Sequence, residues 1–451
     1  MFTGSAWEYI SGGTASYYQL PTARHGSHGY TDTRIVFLTI TITITIPMLK
    51  YYVFFTRNIL PQPNVASLVQ VAHSANAAAN LGLPAVLVYL RKGWSAFNPV
   101  DWFRPFQPRK PDDKLAKIYN IQDKLKIADL PMPCPIDLLD SKWTSSSTIV
   151  SKYYLPIHLR KSTQIVHTRD WNFVKAAIKN GIPAIYEQHH HENKQFESEI
   201  VRNPLFQIAV TVADTVRKSM IQNGMPPEKV IMLHNGFNQL FLARQTADAQ
   251  NWRQKLLEDG RENLAVYAGG LYPFKGVDML VDVAKELPGV EFAIAGGDSS
   301  QVTAYQKLAK DKQVNNIKFL SYLPQNQLAS LLQAADVLLH PHCLTPAATF
   351  TSPLKFFDYM ASGTPIVATE IPSLLEFKSG NIAATWCAPD NPYEFAQSIQ
   401  VSLTKYPRKA EGYLETMDFV KQFSWENRIE RILSYVDNSF VGCVSPQATD
   451  N

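Results

Sequence analysis

Residues that could bind an anion concentrate in the stretch SPLKFFD, from Ser352 to Asp358. A Ser-Pro pair precedes a short amphipathic helix, and the first turn of a helix presents unpaired backbone N–H groups and a partial positive charge. Lys355 adds a full positive charge to that turn. The stretch therefore suits a phosphate group, although Ser352 could equally be the ordinary N-cap of a helix that covers a parallel sheet.

Two glycine-rich turns earlier in the chain could complete an anion site. The apolar runs LAVYAGG and EFAIAGGD end in Gly269-Gly270 and Gly296-Gly297, and Lys275 follows the first pair. Backbone N–H groups in such turns, with a lysine nearby, can hold a phosphate without a Walker sequence. Each glycine pair could also be no more than a tight turn.

Three consecutive histidines, His189 to His191, end the run AIYEQHHHEN, which is predicted as a strand over 184–193. Consecutive residues of an extended segment point to alternate sides, so the three cannot converge on one ion, and no metal site is expected. One histidine at the carboxyl end of a strand could instead donate a hydrogen bond to a sugar hydroxyl or a phosphate. Glu187 could be a buried, hydrogen-bonded carboxylate.

The elements that must position these residues alternate between apolar strands and helices. Strands are predicted at 51–56, 85–90, 164–169, 184–193, 206–214, 230–237, 264–270, 291–298, 317–323, 335–340 and 365–369. Such alternation is typical of parallel α/β sheets, whose ligands bind at the carboxyl ends of the strands. No GxGxxG follows the first strand, which argues against a dinucleotide site.

Length and composition exclude other classes of protein. The 451 residues, 45% hydrophobic and 18% charged, predict two or three globular domains. A net charge of +4 is too small to indicate a nucleic-acid partner. The four cysteines lack CxxC spacing, so neither a metal site nor a disulfide framework is expected, and a reducing compartment fits best.

Basic and aromatic residues gather in the first quarter of the chain. The basic residues between Arg91 and Lys126 could be a solvated surface or could contact anionic lipid headgroups. Aromatic residues in the loops expected around 58–67 and 93–133 could stack on acceptor sugar rings, dock on a bilayer, or simply pack inside the protein.

The first 47 residues differ from the rest. The Ile/Thr run from Ile35 to Pro47 is too short for a membrane span and has the period of a strand. No basic n-region marks a signal peptide. We therefore expect residues 1–47 to be an irregular extension and Met48 to be the functional start.

The second half resembles the donor-binding half of retaining GT-B-fold glycosyltransferases of family 4, the glycosyl transferases group 1. Four segments carry the resemblance in family-like order: YAGGLYPFKGVDML, FAIAGGD, IKFLSYLPQNQLASLLQAADVLLHP and TSPLKFFDYMASGTPIVATEIPS. The last contains the SPLK signature of many members. The resemblance is weaker in the first half but extends over roughly residues 48–436, and FSWENRIERILSYV is similar to the family's final helix.

This resemblance implies an α/β fold in which two Rossmann-like parallel-sheet domains face each other across a cleft, with the C-terminal helix crossing back to the first. The expected parts are an N-terminal acceptor domain over 48–242, a C-terminal nucleotide-sugar donor domain over 243–418, a returning helix over 419–437 and a disordered tail over 438–451.

The implied activity is transfer of a hexosyl group from a UDP-, GDP- or ADP-linked sugar to a hydroxyl of a glycan or lipid-linked acceptor, with retention of anomeric configuration. The nucleotide sugar is a substrate, and no metal or other cofactor is expected. The implied location is the cytoplasm, either free or at the inner face of the membrane. No nucleic-acid partner is implied.

The family's residue roles carry over to matching positions. Lys275 resembles the lysine that neutralises the donor diphosphate, and Asp358 stands where a glutamate usually bonds the ribose hydroxyls. His189 stands near the donor sugar. The implied catalytic residues are His189, Lys275 and Asp358, and the implied nucleotide-sugar contacts are Gly269, Gly270, Lys275, Gly296, Ser352, Leu354, Lys355 and Asp358.

Two departures from the family pattern bear on activity. Gly270 replaces an arginine commonly found before the lysine, and Phe350 replaces the first of two paired glutamates. Lys355 could make up part of the lost charge. Two alternatives stay open beside an active transferase: a catalytically silent nucleotide-sugar-binding subunit of a glycosylation complex, and another GT-B enzyme such as a phosphorylase or an epimerase.

Overall fold

The computed structural model of the protein describes residues 49–62, 65–93, 98–122, 124–132, 145–257, 260–350, 352 and 354–441. The extension expected over residues 1–47, and the proposed start at Met48, lie outside the described residues. Both described cysteines, Cys343 and Cys387, are free thiols. None of the described helices is long and apolar enough to cross a bilayer.

The first sheet contains seven parallel strands among the described residues, in the order β3-β2-β1-β4-β5-β6-β7. Its strands are β1 (Tyr51–Phe55), β2 (Ala85–Arg91), β3 (Lys126–Pro131), β4 (Thr163–Thr168), β5 (Ala184–Glu187), β6 (Phe206–Thr211) and β7 (Val230–Met232). The apolar run FQIAVT of β6 is buried along its whole length, as expected where helices cover both faces of a parallel sheet.

The second sheet is also parallel and has six described strands, in the order β10-β9-β8-β11-β12-β13. They are β8 (Asn263–Ala268), β9 (Val290–Ala295), β10 (Ile317–Ser321), β11 (Val337–His340), β12 (Ile366–Thr369) and β13 (Ala384–Cys387). The two sheets together form the pair of Rossmann-like halves that the sequence predicts.

Helices connect the strands in both halves. Those of the first half are α1 (Ala66–Asn80), α2 (Pro99–Phe103), α3 (Asp113–Tyr119), α4 (Ser146–Ile149), which continues as a π-helix (Val150–Leu159), α5 (Trp171–Lys179), α6 (Ser198–Val201) and α7 (Asp214–Gln222). The later ones are α8 (Thr246–Leu256), α9 (Val277–Glu286), α10 (Ser299–Asp311), α11 (Gln325–Ala334), α12 (Leu354–Ser362), α13 (Pro392–Lys405), α14 (Leu414–Val420), α15 (Trp425–Leu433) and α16 (Asn438–Val441).

Helix α15 returns from the second half and packs on α1 of the first, as predicted. The Ser424 hydroxyl caps it by accepting a hydrogen bond from the Asn427 N–H at 3.1 Å. Trp425, Ile429 and Ile432 on its apolar face are buried in the same core cluster as the α1 side chains. This packing ties the last helix of the chain to the first sheet.

Two predictions of local structure are wrong. The strand expected over 184–193 stops at Glu187, where its pairing with β6 ends, so the histidines lie in a loop. The segment 93–133, expected to be loops, contains α2, α3 and the edge strand β3. Partly exposed Lys126 and Asp129 interrupt the apolar pattern of that edge strand, because one side of an edge strand is not covered.

The end of the chain also differs from expectation. The tail expected to be disordered from residue 438 begins with the short helix α16. The Asp437 carboxylate accepts hydrogen bonds from the Ser439 N–H at 2.9 Å and hydroxyl at 2.7 Å, and Phe440 packs against the first-half core. Residues 442–451 lie outside the described part of the chain.

Candidate active site

A cleft of about 450 Å³ lies between the two sheets, and its volume is within the roughly 300–1,000 Å³ usual for small-molecule sites. It is lined by every residue that the sequence predicts for the site: His189, Gly269, Gly270, Lys275, Gly296, Ser352, Leu354, Lys355 and Asp358. The structure therefore brings the predicted residues together, while their individual roles stay predictions.

The glycine turns after β8 and β9 pack against each other at the floor of the cleft. Gly269 has φ 145° and Gly296 has φ 126°, in a region that favours glycine. A Cβ on Gly296 would lie 2.1 Å from the Gly269 carbonyl oxygen, and a Cβ on Gly269 would lie 2.9 Å from Lys355 Nζ. Both turns are therefore tight, and because their glycines carry no side chain their backbone lines the cleft directly.

Lys275 and Lys355 bring two amino groups to this floor. Lys355 Nζ is buried without a hydrogen-bond partner and lies 3.9 Å from the ring centroid of Tyr267. Burial lowers the pKa of Lys275 to about 8. Burial, and then the charge of Lys275, hold the pKa of Lys355 well below its usual range. Neither ammonium group forms an ion pair with a described carboxylate, so the site favours an anion from outside.

His340 and His342 lie beside these lysines and were missed by sequence reasoning. Both ring nitrogens of His340, and Nε2 of His342, are buried without a partner, and the two ring centroids are 4.1 Å apart. Burial holds both imidazole pKa values well below their usual range, and the two lysine charges lower them further. The sequence feature that could have indicated them is the run His340-Pro341-His342 at the end of a predicted strand. No metal-binding group of three His, Cys, Asp or Glu side chains occurs in the described ranges.

Asp358 is the only acidic residue among the described residues that line the cleft. Burial raises its pKa to about 8, although a hydrogen bond from the Asn238 backbone acts in the opposite direction. At neutral pH the carboxyl group is therefore largely protonated. It can both donate and accept hydrogen bonds, which suits a pair of ribose hydroxyls.

Glu187, at the end of β5, lies behind the cleft in a saturated network. Its Oε2 accepts a hydrogen bond from Gln70 Nε2 at 3.0 Å and lies 2.9 Å from His167 Nε2, while Oε1 contacts His189 Nε2 at 2.9 Å and the Arg428 guanidinium. Burial acts to raise the pKa of Glu187, but the Arg428 charge and the histidine hydrogen bonds hold it well below its usual range. The expectation of a buried, hydrogen-bonded carboxylate is confirmed.

The three histidines after β5 point to different surroundings. Burial, and then the charge of Arg169, lower the pKa of His189 to about 4, so its ring is neutral at pH 7. Its Nε2 faces a carboxylate and must donate, which leaves Nδ1 as an acceptor rather than the donor expected from the sequence. The His190 ring is half-exposed, and His191 contacts Phe350 edge-on with centroids 5.3 Å apart.

The loop before α12 is attached to the first half of the chain. Phe350 packs against the first-sheet core and His191. The Asn235 N–H donates to Ser352 Oγ at 3.1 Å, and Asn235 Nδ2 donates to the Ser352 carbonyl oxygen at 2.8 Å. Ser352 is therefore held in place from across the cleft.

The second half of the chain matches a known family. Residues 248–411 match the family model for glycosyl transferases group 1. The matched range contains the second sheet, both glycine turns, the two lysines and Asp358. The first sheet and the returning helix α15 lie outside it.

Curated relatives cover a longer part of the chain. The D-inositol 3-phosphate glycosyltransferase of Mycobacteroides abscessus is 24% identical over 299 residues, which are 64% of this chain and 63% of the relative. The enzyme of the same name from Mycobacterium tuberculosis is 24% identical over 282 residues, 61% of this chain and 57% of the relative. The chain thus spans about three fifths of the length of these relatives.

Solved structures resemble nearly all of the described chain. Anabaena Alr3699/HepE in complex with UDP and glucose has a TM-score of 0.61 at 16% identity and covers 86% of this chain and 100% of its own. Sucrose-phosphate synthase from Thermosynechococcus elongatus has a TM-score of 0.60 at 14% identity, with 86% and 98% coverage. At these identities the likeness shows the fold alone, and it confirms the predicted GT-B architecture.

Proposed function

We propose that the protein transfers a hexosyl group from a nucleotide-diphosphate sugar to a hydroxyl of a glycan or lipid-linked acceptor, with retention of anomeric configuration. The observation that carries this proposal is the pair of lysines, Lys275 and Lys355, without carboxylate partners among the described residues. A diphosphate supplies the negative charge that these two cations lack.

The remaining features of the donor side fit the same ligand. The glycine turns after β8 and β9 allow close approach of phosphate oxygens to backbone N–H groups. The start of α12 adds a partial positive charge. Asp358 suits the ribose hydroxyls. UDP is the first nucleotide to test, because HepE was solved with UDP and glucose bound.

The proposed reaction separates charge along one bond. The bond between the anomeric carbon and the diphosphate oxygen breaks, positive charge develops on the sugar, and negative charge develops on the leaving diphosphate. Lys275, Lys355 and the N–H groups of α12 stabilise that negative charge. The acceptor oxygen bonds to the anomeric carbon on the same face, and its proton passes to an oxygen of the leaving diphosphate.

This route uses no carboxylate nucleophile. Asp358 is proposed to contact the ribose of the nucleotide rather than the anomeric carbon, and both oxygens of Glu187 already have hydrogen-bond partners. His189 Nδ1 can accept a hydrogen bond from a hydroxyl of the donor sugar and so orient it. We propose that the two lysines take the charge-neutralising role without a metal ion.

A nucleotide-binding panel tests the proposal. UDP, GDP and ADP are each added to the full chain in thermal-shift and calorimetric titrations, because a ligand that binds only the folded state raises its melting temperature. One diphosphate should bind in the micromolar range and the corresponding monophosphate more weakly. Absence of binding by all three diphosphates contradicts the proposed donor site.

A further inference from the structure

Arg169 is a third cation of the cleft, on the side of the first sheet. It follows β4, a central strand, and lines the cleft with His189 and His190. Its closest described polar contact runs from Nη2 to His190 Nδ1 at 3.5 Å, the outer limit of a hydrogen bond. The guanidinium is thus nearly without a partner although it is only partly exposed.

The acids around Arg169 are already engaged elsewhere. Asp170 pairs with Arg57 at 3.0 Å and caps α5. Glu192 pairs with Lys194 at 2.6 Å. Glu187 is occupied by Arg428 and its other partners. No described carboxylate forms an ion pair with Arg169. Its cationic neighbours Arg57, Lys194 and Arg428 each pair with a carboxylate.

The Arg169 guanidinium is partly withdrawn from water without a paired carboxylate, which is unfavourable, and burial lowers its pKa although the charge of Glu187 acts in the opposite direction. An anionic ligand removes that cost. The planar guanidinium presents parallel N–H donors that match two oxygens of a phosphate or a carboxylate. Neutral His190 can orient the guanidinium but cannot neutralise it.

Arg169 follows a strand of the first sheet, whereas Lys275 and Lys355 belong to the second sheet and its loops, so the proposed donor diphosphate already has two cations of its own. We infer that Arg169 binds an oxyanion group, phosphate or carboxylate, carried by the acceptor. This inference rests on the proposed function and narrows its acceptor to an anionic one. Arg169 is then a binding residue that distinguishes acidic acceptors from neutral ones.

Calorimetric titration with inorganic phosphate tests the inference without requiring turnover. The full chain is first saturated with its best-binding nucleotide diphosphate, which occupies the lysines and leaves Arg169 free. We expect the wild-type protein to bind phosphate and Arg169→Gln to bind it at least tenfold more weakly. The matched control Arg57→Gln, which removes a nearby arginine that already has a carboxylate partner, should change phosphate affinity less than twofold.

Acetate in the same titration separates the two sources of the oxyanion. Stronger binding of phosphate indicates a phosphorylated acceptor, and stronger binding of acetate indicates an acidic sugar; either result supports the inference. The inference is overturned if Arg169→Gln binds both anions as tightly as wild type does. It is also overturned if wild type binds neither anion. Arg169→Lys, which keeps the charge but loses the fork of donors, should be intermediate and checks that the site is intact.

Nucleotide binding by Arg169→Gln distinguishes this inference from its main competitor. Its affinity for the nucleotide diphosphate should stay within twofold of wild type. If Arg169→Gln instead lost as much affinity for the nucleotide diphosphate as for phosphate, Arg169 would be a donor-binding residue. It would then take the role of the arginine that Gly270 replaces. If no nucleotide diphosphate binds wild type, the proposed function fails, and phosphate titration of the free protein still tests Arg169.

Discussion

Two lysine side chains dominate the chemistry of the cleft at the scale of single residues. The pKa of Lys275 is lowered to about 8, and that of Lys355 is lowered in the same direction, because burial penalises their charged forms. An arriving diphosphate favours the charged forms again. Ligand binding and proton uptake are therefore coupled at this site.

The affinity for the nucleotide diphosphate should depend on pH. Below pH 8 Lys275 is already charged in the free protein, but above it the lysine must take up a proton on binding, so the dissociation constant rises with pH. In Lys275→Arg the cation stays charged, and the part of this rise due to Lys275 should disappear. Calorimetry between pH 7 and about 9.5 measures the pH dependence of the dissociation constant for wild type and for Lys275→Arg. In this range the charge of the phosphate groups is nearly constant, because their second pKa is about 6.

Removing either lysine should weaken nucleotide binding. Lys275→Ala and Lys355→Ala are each expected to raise the dissociation constant roughly 10- to 150-fold, because a hydrogen bond to a charged group contributes about 1.5–3 kcal/mol. Lys285→Ala, on the exposed end of α9, is the matched control and should change nothing. If Lys355→Ala binds the nucleotide like wild type while Lys275→Ala does not bind it, Lys355 does not make up for the arginine that Gly270 replaces.

The sequence predicted those cleft residues that stand in a recognisable motif, but it could not predict those that are distinguished only by their burial or their partners in the fold. Lys275, Lys355 and Asp358 carry recognisable motifs. His340 and Arg169 stand out only because the fold buries one and leaves the other without a carboxylate partner. The tautomer of His189 likewise depends on Glu187, whose position across the strand end is a tertiary contact.

Two contacts between elements hold the site together. The Arg428 guanidinium of α15 contacts Glu187 at the end of β5, and its Nε donates to the His234 carbonyl oxygen at 2.9 Å. The glycine turns of β8 and β9 touch each other directly. Edge strands β3 and β13 escaped the prediction because short or partly exposed strands lack a continuous apolar run.

Breaking the contact between α15 and β5 should destabilise the protein. Arg428→Met leaves a buried carboxylate without its main counter-ion, and loss of one partner of a buried pair costs about 3–5 kcal/mol. The midpoint of urea denaturation should therefore fall. The double variant Glu187→Gln with Arg428→Met should recover part of the loss, and an additive effect would contradict the pairing.

The turn after β9 should not accept a side chain. Gly296→Ala places a Cβ 2.1 Å from the Gly269 carbonyl oxygen, so the two turns must separate. Backbone strain adds about 1–3 kcal/mol, and nucleotide binding should be lost with it. Gly289→Ala, at a position with no heavy atom within 4 Å of the added Cβ, is the control and should bind the nucleotide normally in the same titration.

The part of the chain from residue 50 onward that the structure describes contains a pair of parallel sheets whose carboxyl ends meet at one cleft. This arrangement could be predicted because eleven apolar runs and the family resemblance agree on it. The resemblance was strongest in the second half, which is where the family model matches. The acceptor, the location in the cell and the domain limits stay predictions, since contacts of the first half with an acceptor depend on loops that vary most.

Acceptor-dependent release of nucleotide is the most direct test of the proposed transfer. The full chain is incubated with UDP-, GDP- or ADP-linked hexoses and a panel of neutral, phosphorylated and carboxylated sugar and lipid-linked acceptors, and mass spectrometry detects the glycosylated product. We predict equal amounts of product and free nucleotide diphosphate with wild type, and at least tenfold less of both with Lys275→Ala when the donor concentration is well below its dissociation constant. Nucleotide binding without product from any pair of substrates, or release that requires only inorganic phosphate, would contradict the proposed transferase.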